Sequence, residues 1–369
     1  RLQYSSKYAG SSNFWKKAMG MNETFGKLNV AERMAQEEEA FTRWINESKT
    51  RQERYQNALP DLKRAIEERS DALFLYRYFT ETLGNIEVAS VANYYIGVAS
   101  NLEKGNNETA VQLAKELQGR IDNFFVNYSE PTDRKVAKAM IKLFRERVAK
   151  DDLPSFYTII DTQFNGSIDR YVDYLFDNTV FTSKEKIDAA LKDQGAKLSE
   201  DPALILGRSI FAKIPELQNQ LNSTNRLYEK GNKAYIAGLL EMRKDQPVYP
   251  DANSTMRMTY GQVLNYSPKD GVLYEHITTL KGVMEKEDPG NWEFVVPAKL
   301  KDLYNKKDYG QYAMKNGELP VAFISNNDIT GGNSGSPVMN ASGELIGIAF
   351  DGNWEAMSGD VIFEPNLQR

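Results

Sequence analysis

The chain contains no cysteine and only one histidine, His276, among its 369 residues. Without cysteine it can form no disulfide, no thiolate metal site and no cysteine nucleophile. One histidine cannot build a multi-histidine zinc site, and His276 is the only position that could act as a histidine base. We therefore expect neither a metal nor another cofactor.

Long apolar runs and a strong excess of charge are missing as well. No apolar stretch approaches the roughly 20 residues that are needed to cross a bilayer. The net charge is only −5. These features argue against a membrane span and against a general nucleic-acid binder.

Helical spacing of apolar residues dominates the chain over residues 30–244. It includes predicted helices at 202–221 and 226–242. The apolar spacing drifts and no heptad persists, which favours an intramolecular helical domain over a coiled-coil partner surface. Residues 1–27, rich in aromatics, glycine and serine, are expected to be an irregular lead-in that packs on another surface.

The composition changes at a proline-containing linker, residues 246–251. Turn residues and β-type runs follow it, at 255–260, 293–296, 321–325, 344–350 and 360–363. The sequence therefore predicts a multidomain α+β protein. Residues 1–250 would form an all-α domain and residues 251–369 a β domain.

One glycine-rich turn between two β-type runs carries the candidate chemistry: Gly331-Gly332-Asn333-Ser334-Gly335-Ser336-Pro337. A serine held between glycines and closed off by proline is typical of the nucleophile of chymotrypsin-type peptidases. Glycines permit a tight turn in which backbone amides point at one place, where they can stabilise an oxyanion. With Ser334 as nucleophile, the donors would be the amides of Ser334 and Gly332.

Two other interpretations of this turn remain. It could be a plain turn with an incidental serine, since glycine and serine are common turn residues. The G-x-S-x-G elbow of α/β-hydrolases fits less well. Its fifth position is Ser336 here, and Pro337 with a β-type run follows where that elbow needs a helix.

A serine nucleophile needs a base, normally a histidine that an acid orients. In the chymotrypsin order both lie on a β-barrel that precedes the serine, but here the preceding region is helical. His276 follows the linker and is interpreted as a surface or structural histidine. Lys269 or Lys281 could form a Ser–Lys dyad only in principle, because no pattern would desolvate either. We expect the base and its acid to lie outside these residues, and this chain alone to lack peptidase activity.

A second clue is Phe350-Asp351-Gly352, which follows the next β-type run. In chymotrypsin-like peptidases this region walls the pocket for the substrate side chain before the scissile bond, P1. Asp351 there could pair with a substrate α-amino group, and Gly352 would leave the pocket open for a bulky apolar side chain. The alternative for Asp351 is a plain turn acid.

Three segments together carry a family resemblance: SSNFWKKAMGMN, TTLKGVMEKEDP and DITGGNSGSPVMNASGELIGIAFDGNWEAMSGDVIFEPNLQR. The chain resembles the bacterial chymotrypsin-fold dipeptidyl peptidases of the dipeptidyl peptidase 7 and 11 family, and is closest to the dipeptidyl peptidase 7 type. The resemblance implies a helical capping domain followed by the C-terminal part of a chymotrypsin-like double β-barrel. It also implies a periplasmic or cell-surface homodimer that removes dipeptides from peptides with a free N-terminus.

The resemblance assigns roles to six residues. It implies that Asn13 and Asp351 hold the substrate amino group, Gly332 and Ser334 are the oxyanion-hole amide and the nucleophile, Phe350 lines the amino-group subsite, and Gly352 selects the P1 residue. An arginine at the last position marks the acid-specific type, so glycine implies apolar P1 residues. The family histidine and aspartate lie on an N-terminal barrel half that does not match any part of this sequence. A catalytically inactive peptide-binding module and an endopeptidase of the same fold stay open.

Overall fold

The structure is a computed structural model that describes residues 2–192, 198–246, 248–249 and 254–369. The chain forms two compact units. One is Phe41–Gln246, and the other combines Arg1–Ala40 with Pro247–Arg369. The predicted α+β class is confirmed. The predicted boundary at residue 250 lies outside the described residues.

Helices make up most of the described chain before residue 243. They are α1 (Leu2–Lys27), α2 (Val30–Asn46), α3 (Lys49–Tyr55), α4 (Ala58–Glu81), α5 (Glu87–Tyr94), α6 (Ile96–Glu103), α7 (Asn107–Phe125), α8 (Glu130–Arg147), α9 (Phe156–Gln163), α10 (Ile168–Asn178), α11 (Lys184–Lys192) and α12 (Pro202–Met242). The division between the two units falls within α2.

Short strands and two short helices follow. They are β1 (Tyr266–Lys269), β2 (Val272–Tyr274), β3 (Ile277–Thr279), α13 (Leu280–Glu285), α14 (Ala298–Lys306), β4 (Pro320–Phe323), β5 (Pro337–Met339) and β6 (Leu345–Ile348). They pair antiparallel as β1–β2, β3–β4 and β5–β6. The runs predicted at 321–325 and 344–350 therefore form strands β4 and β6.

The other three predicted strands do not form. Residues 255–260 form neither a strand nor a helix, Trp292–Phe294 is a 3-10 helix, and residues 360–363 are a turn followed by irregular chain. β-type side chains make a strand only where a neighbouring strand completes the hydrogen-bond ladder, so their run alone was a weak signal.

The prediction of an irregular lead-in at residues 1–27 was wrong, because Leu2–Lys27 is one helix. Its C-terminal half packs on a 3-10 helix at Trp354–Ser358, where Gly20 and Thr24 are buried. Tertiary packing of this kind overrides the weak helix propensity of glycine and serine. The expectation that the segment packs on another surface agrees with this contact.

Helix α12 is continuous from Pro202 to Met242, where the sequence suggested two helices. Asp201 caps it by accepting from the amides of Ala203 and Leu204 at 2.8 and 3.2 Å. At the expected break, the hydroxyls of Ser223 and Thr224 bond back to carbonyls of the preceding turn. Such bonds compete with the helix backbone, so the packing of α12 along α4 is what maintains the helix through this stretch.

Gly231 lets α12 and α4 approach closely. A Cβ atom there would lie 2.9 Å from the Leu62 amide nitrogen and 3.0 Å from the Ala58 carbonyl oxygen. Backbone atoms cannot rotate away as a side chain can, so α4 would have to move.

We expect Gly231→Ala to lower the free energy of unfolding by about 1–3 kcal/mol through overpacking. The matched control is Gly119→Ala in α7, where a Cβ meets nothing within 4 Å. That change should raise the free energy by about 0.5–1 kcal/mol, the usual helix-propensity gain. Urea unfolding followed by far-UV circular dichroism measures both. Equal effects of the two substitutions would contradict the close approach.

Candidate functional site

The candidate nucleophile lies in a turn between β4 and β5, residues 328–336, here called the serine loop. Its C-terminal end continues the β5–β6 pairing, since the Gly335 amide donates to the Ala349 carbonyl at 2.7 Å and the Ala349 amide donates to the Ser336 carbonyl at 2.9 Å. Gly332 and Gly335 have φ angles of 104° and 86°. Side-chain-bearing residues are strained in this region, which explains the glycines on either side of Ser334.

Ser334 presents its side chain to solvent. Its hydroxyl donates to the Phe350 carbonyl at 3.2 Å. Within the described residues, the amides of Gly332 and Ser334 donate no hydrogen bond. The two predicted oxyanion-hole donors are therefore uncommitted, as donors must be if they are to bind a developing oxyanion.

The serine loop is braced from within by Thr330 and Asn333. The Thr330 amide donates to Oδ1 of Asn333 at 3.0 Å, and the Asn333 amide donates to the Thr330 carbonyl at 3.2 Å. The Asn333 carbonyl also accepts from the Ser336 amide at 2.9 Å. The residue before Ser334 is thus fixed at both its side chain and its backbone.

The hydrogen bond from Ser334 to Phe350 places the serine beside the second predicted group, Phe350-Asp351-Gly352. The Phe350 side chain is 70% exposed. Asp351 is exposed and accepts from the Gly352 amide through Oδ1 at 2.9 Å. No other bond to this carboxylate joins it to the described residues, so its second oxygen can take a ligand cation.

Asn353, which the sequence reasoning missed, anchors the segment after Gly352. Its Oδ1 accepts from the amides of Ala356 and Arg369 at 2.9 and 3.1 Å, and its Nδ2 donates to the Leu367 carbonyl at 2.8 Å. It is the N-cap of the 3-10 helix Trp354–Ser358. The preference of asparagine for helix N-caps was the signal that could have found it.

Asn13 lies on α1 with its side chain exposed. Later turns of α1 contact the segment after Gly352. Trp354 Nε1 donates to Glu23 at 3.0 Å, and Lys17 forms a 2.8 Å ion pair with Asp360. Asn13 is therefore on a helix that is attached to the neighbourhood of the predicted site.

The candidate bases do not join Ser334. His276 Nδ1 lies 2.8 Å from Oδ1 of Asn265, which also accepts from the His276 amide at 2.6 Å. Lys281 is paired with Glu285, four residues along α13. Over the ranges that the structure describes, no hydrogen bond or ion pair connects His276, Lys269 or Lys281 to the serine. His276 is thus a surface histidine that a neighbouring asparagine orients.

The described residues contain no group of three or more histidine, aspartate or glutamate side chains that could hold a metal ion. None of the helices in this part of the chain has the length and the apolar character to span a bilayer.

The whole chain, residues 1–369, matches the family Peptidase S46. The chain belongs to this family. The resemblance to bacterial dipeptidyl peptidases is thereby confirmed.

Two relatives of this Peptidase S46 chain illustrate the range of the family. The dipeptidyl-peptidase 7 of Phocaeicola vulgatus is 43% identical over 374 residues, which cover 100% of this chain and 51% of the relative. The Asp/Glu-specific dipeptidyl-peptidase of Porphyromonas gingivalis is 39% identical, with the same shares covered. The chain therefore spans about half the length of the curated relatives it matches.

A solved structure is similar over almost the whole chain. The crystal structure of Porphyromonas endodontalis DPP11 in complex with the dipeptide Arg-Glu matches with a TM-score of 0.86 and 33% identity. The match covers 99% of this Peptidase S46 chain and 52% of the DPP11 chain.

Proposed function

We propose that this chain carries the nucleophile and the amino-group-binding residues of a serine-type dipeptidyl peptidase. The observation that carries the proposal is the hydrogen bond from Ser334 to the Phe350 carbonyl, which sets an exposed serine beside the residue that directly precedes Asp351. Two uncommitted amides, of Gly332 and Ser334, accompany that serine.

A fixed site for the substrate amino group would determine which peptide bond is cleaved. An extended dipeptide reaches about 7 Å from its amino nitrogen to its second carbonyl. If Asp351 and Asn13 hold the ammonium group, the carbonyl of the second residue is the one presented to Ser334. The Ser334 hydroxyl then attacks that carbon and gives its proton to a base, while the amides of Gly332 and Ser334 take up the oxyanion. The described residues that contact Ser334 do not include this base.

We also propose, from the family resemblance, that the protein acts in the periplasm or at the cell surface as a homodimer. Peptides with a free N-terminus are its proposed partners. The DPP11 structure with a bound dipeptide supports a peptide substrate for this family.

The test is dipeptide release from a matched pair of peptides, one with a free and one with an acetylated N-terminus, by the full-length gene product. Acetylation removes the cation that Asp351 and Asn13 would bind, so we expect release from the free peptide alone. Equal cleavage of both peptides would identify an endopeptidase. Binding without any cleavage would identify an inactive peptide-binding module.

The apolar P1 preference is a finer proposal, and it rests on Gly352. This residue follows Asp351 and carries no charge that could hold an acidic side chain. A Cβ atom at this position would lie 3.1 Å from the Ala356 Cβ, so a larger residue fits only after a small shift.

We expect Gly352→Arg to raise the ratio of kcat/KM for Glu over Leu at P1 by about 10- to 150-fold. A charge-assisted hydrogen bond is worth about 1.5–3 kcal/mol, which corresponds to that range. Gly352→Met is the control, since it adds similar bulk without charge. Methionine should lower the rate for Leu without raising that for Glu. An unchanged ratio in the arginine variant would remove Gly352 as the selector.

A further inference from the structure

One carboxylate, Asp360, joins α1 to the serine loop. Its Oδ2 accepts from Lys17 Nζ of α1 at 2.8 Å, and its Oδ1 accepts from Oγ1 of Thr330. The Lys17 ammonium and then the Thr330 hydroxyl hold the pKa of Asp360 below its usual range, so the group is ionised at neutral pH. A single side chain therefore contacts two segments that the proposed function assigns to one substrate.

On the loop side, the contact continues to the nucleophile. Thr330 exchanges two hydrogen bonds with Asn333, at 3.0 and 3.2 Å, and Asn333 directly precedes Ser334. A displacement of Thr330 would therefore move the residue that sets the backbone direction at Ser334. Among the described residues, Asp360 is the only side chain from outside the serine loop that forms a hydrogen bond with the Thr330 hydroxyl.

On the helix side, the contact lies one turn from Asn13. Residues four positions apart in a helix lie on the same face, so Lys17 and Asn13 share a face of α1. The same stripe continues to Gly20, whose Cα approaches the Met357 side chain so closely that a Cβ would lie 2.8 Å from it. This face of α1 is thus the one turned toward residues 354–360.

We propose that Asp360 is a positioning residue that fixes the position of α1 relative to the serine loop. The amino group bound by Asn13 and the carbonyl attacked by Ser334 then belong to the same dipeptide. This inference deepens the proposed function and rests on it. The Lys17 and Asp360 side chains are 49% and 43% exposed, so the ion pair contributes little to stability. Its effect should appear in kinetics.

Three variants of the full-length gene product separate the two contacts of Asp360. Lys17→Met removes the contact with α1, and Thr330→Val removes the contact with the hydroxyl at constant shape. Asp360→Ala removes both contacts. We expect Lys17→Met to raise KM for free-amino substrates about tenfold at unchanged kcat. It should leave the rate at which a fluorophosphonate, which has no amino group, labels Ser334 unchanged. Thr330→Val should instead lower kcat and the labelling rate by about tenfold, and Asp360→Ala should show both losses.

Lys17→Arg should have the wild-type KM, because it keeps the cation at this position. Lys16→Met is the control for the loss of a positive charge on α1. An increase in KM for Lys16→Met equal to that for Lys17→Met, or no difference between the three variants and wild type, would overturn the proposal.

A readout without substrate separates this inference from the proposed function. In hydrogen exchange, Asp360→Ala should speed exchange in residues 8–20 and 328–336 together. If both segments respond but the wild-type protein releases no dipeptide, the contact stands and the proposed function fails. If dipeptides are released but neither segment responds, the proposed role of Asp360 fails.

Discussion

Replacing Ser334 with alanine should lower kcat/KM of the full-length gene product by about 10⁴- to 10⁶-fold, the range seen when a serine nucleophile is removed. The change removes the hydroxyl that would form the acyl intermediate, while the amides of Gly332 and Ser334 would survive it. The small remaining rate would come from those amides and from substrate binding. Release of the fluorescent aminomethylcoumarin from a dipeptidyl-4-methylcoumaryl-amide measures it.

Ser336→Ala is the matched control, because Ser336 is the rival serine of the same loop. Its carbonyl continues the β5–β6 pairing and its amide donates to the Asn333 carbonyl, and neither bond depends on the hydroxyl. We expect activity within about threefold of wild type, since substitutions away from a named contact rarely exceed about 0.5 kcal/mol. A large loss in Ser336→Ala with an active Ser334→Ala would transfer the nucleophile to Ser336.

The second large effect concerns Asp351. Asp351→Asn keeps the shape and the acceptor for the Gly352 amide, but removes the charge that would pair with the substrate ammonium. Losing one partner of a charge pair at a binding interface costs about 2–5 kcal/mol, which corresponds to a fall in kcat/KM of about 30- to 4,000-fold. The measurement is steady-state kinetics on the free-amino substrate.

The control for this change is Asp270→Asn, at the exposed turn between β1 and β2. It removes the same charge from the same unit of the chain and should leave kcat/KM unchanged. Equal losses for the two variants would show that Asp351 acts through the general charge of the protein. No loss in either would leave Asp351 a plain turn acid.

Local pattern was sufficient for most of the helical region. Apolar spacing over residues 30–244 predicted that this region is helical, because each helix buries one face. The misses arose where tertiary contact overrides propensity. Helix α1 forms around glycines and serines because its later turns pack on Trp354–Ser358, and α12 continues through 222–225 because α4 packs along it. Those contacts join residues that are far apart in the sequence, so a short stretch of sequence cannot reveal them.

The candidate site divides in the same way. The glycine-rich motif around Ser334 predicted a tight turn, and Gly332 and Gly335 do have positive φ angles. The role of Ser334 as nucleophile stays a prediction. Asp360 was not predictable, since its partner Lys17 lies 343 positions away in the sequence. Contacts between segments so far apart leave no signal in spacing or composition.

The measurement that tests the central claim most directly is covalent labelling with a fluorophosphonate, followed by peptide mass spectrometry of the full-length gene product. An activated serine reacts with this reagent, whereas an ordinary turn serine does not. We expect one adduct, on Ser334, and loss of dipeptide release in proportion to the fraction labelled. Adduct formation at another serine, or full dipeptide release with Ser334 unlabelled, would contradict the assignment of Ser334 as the nucleophile.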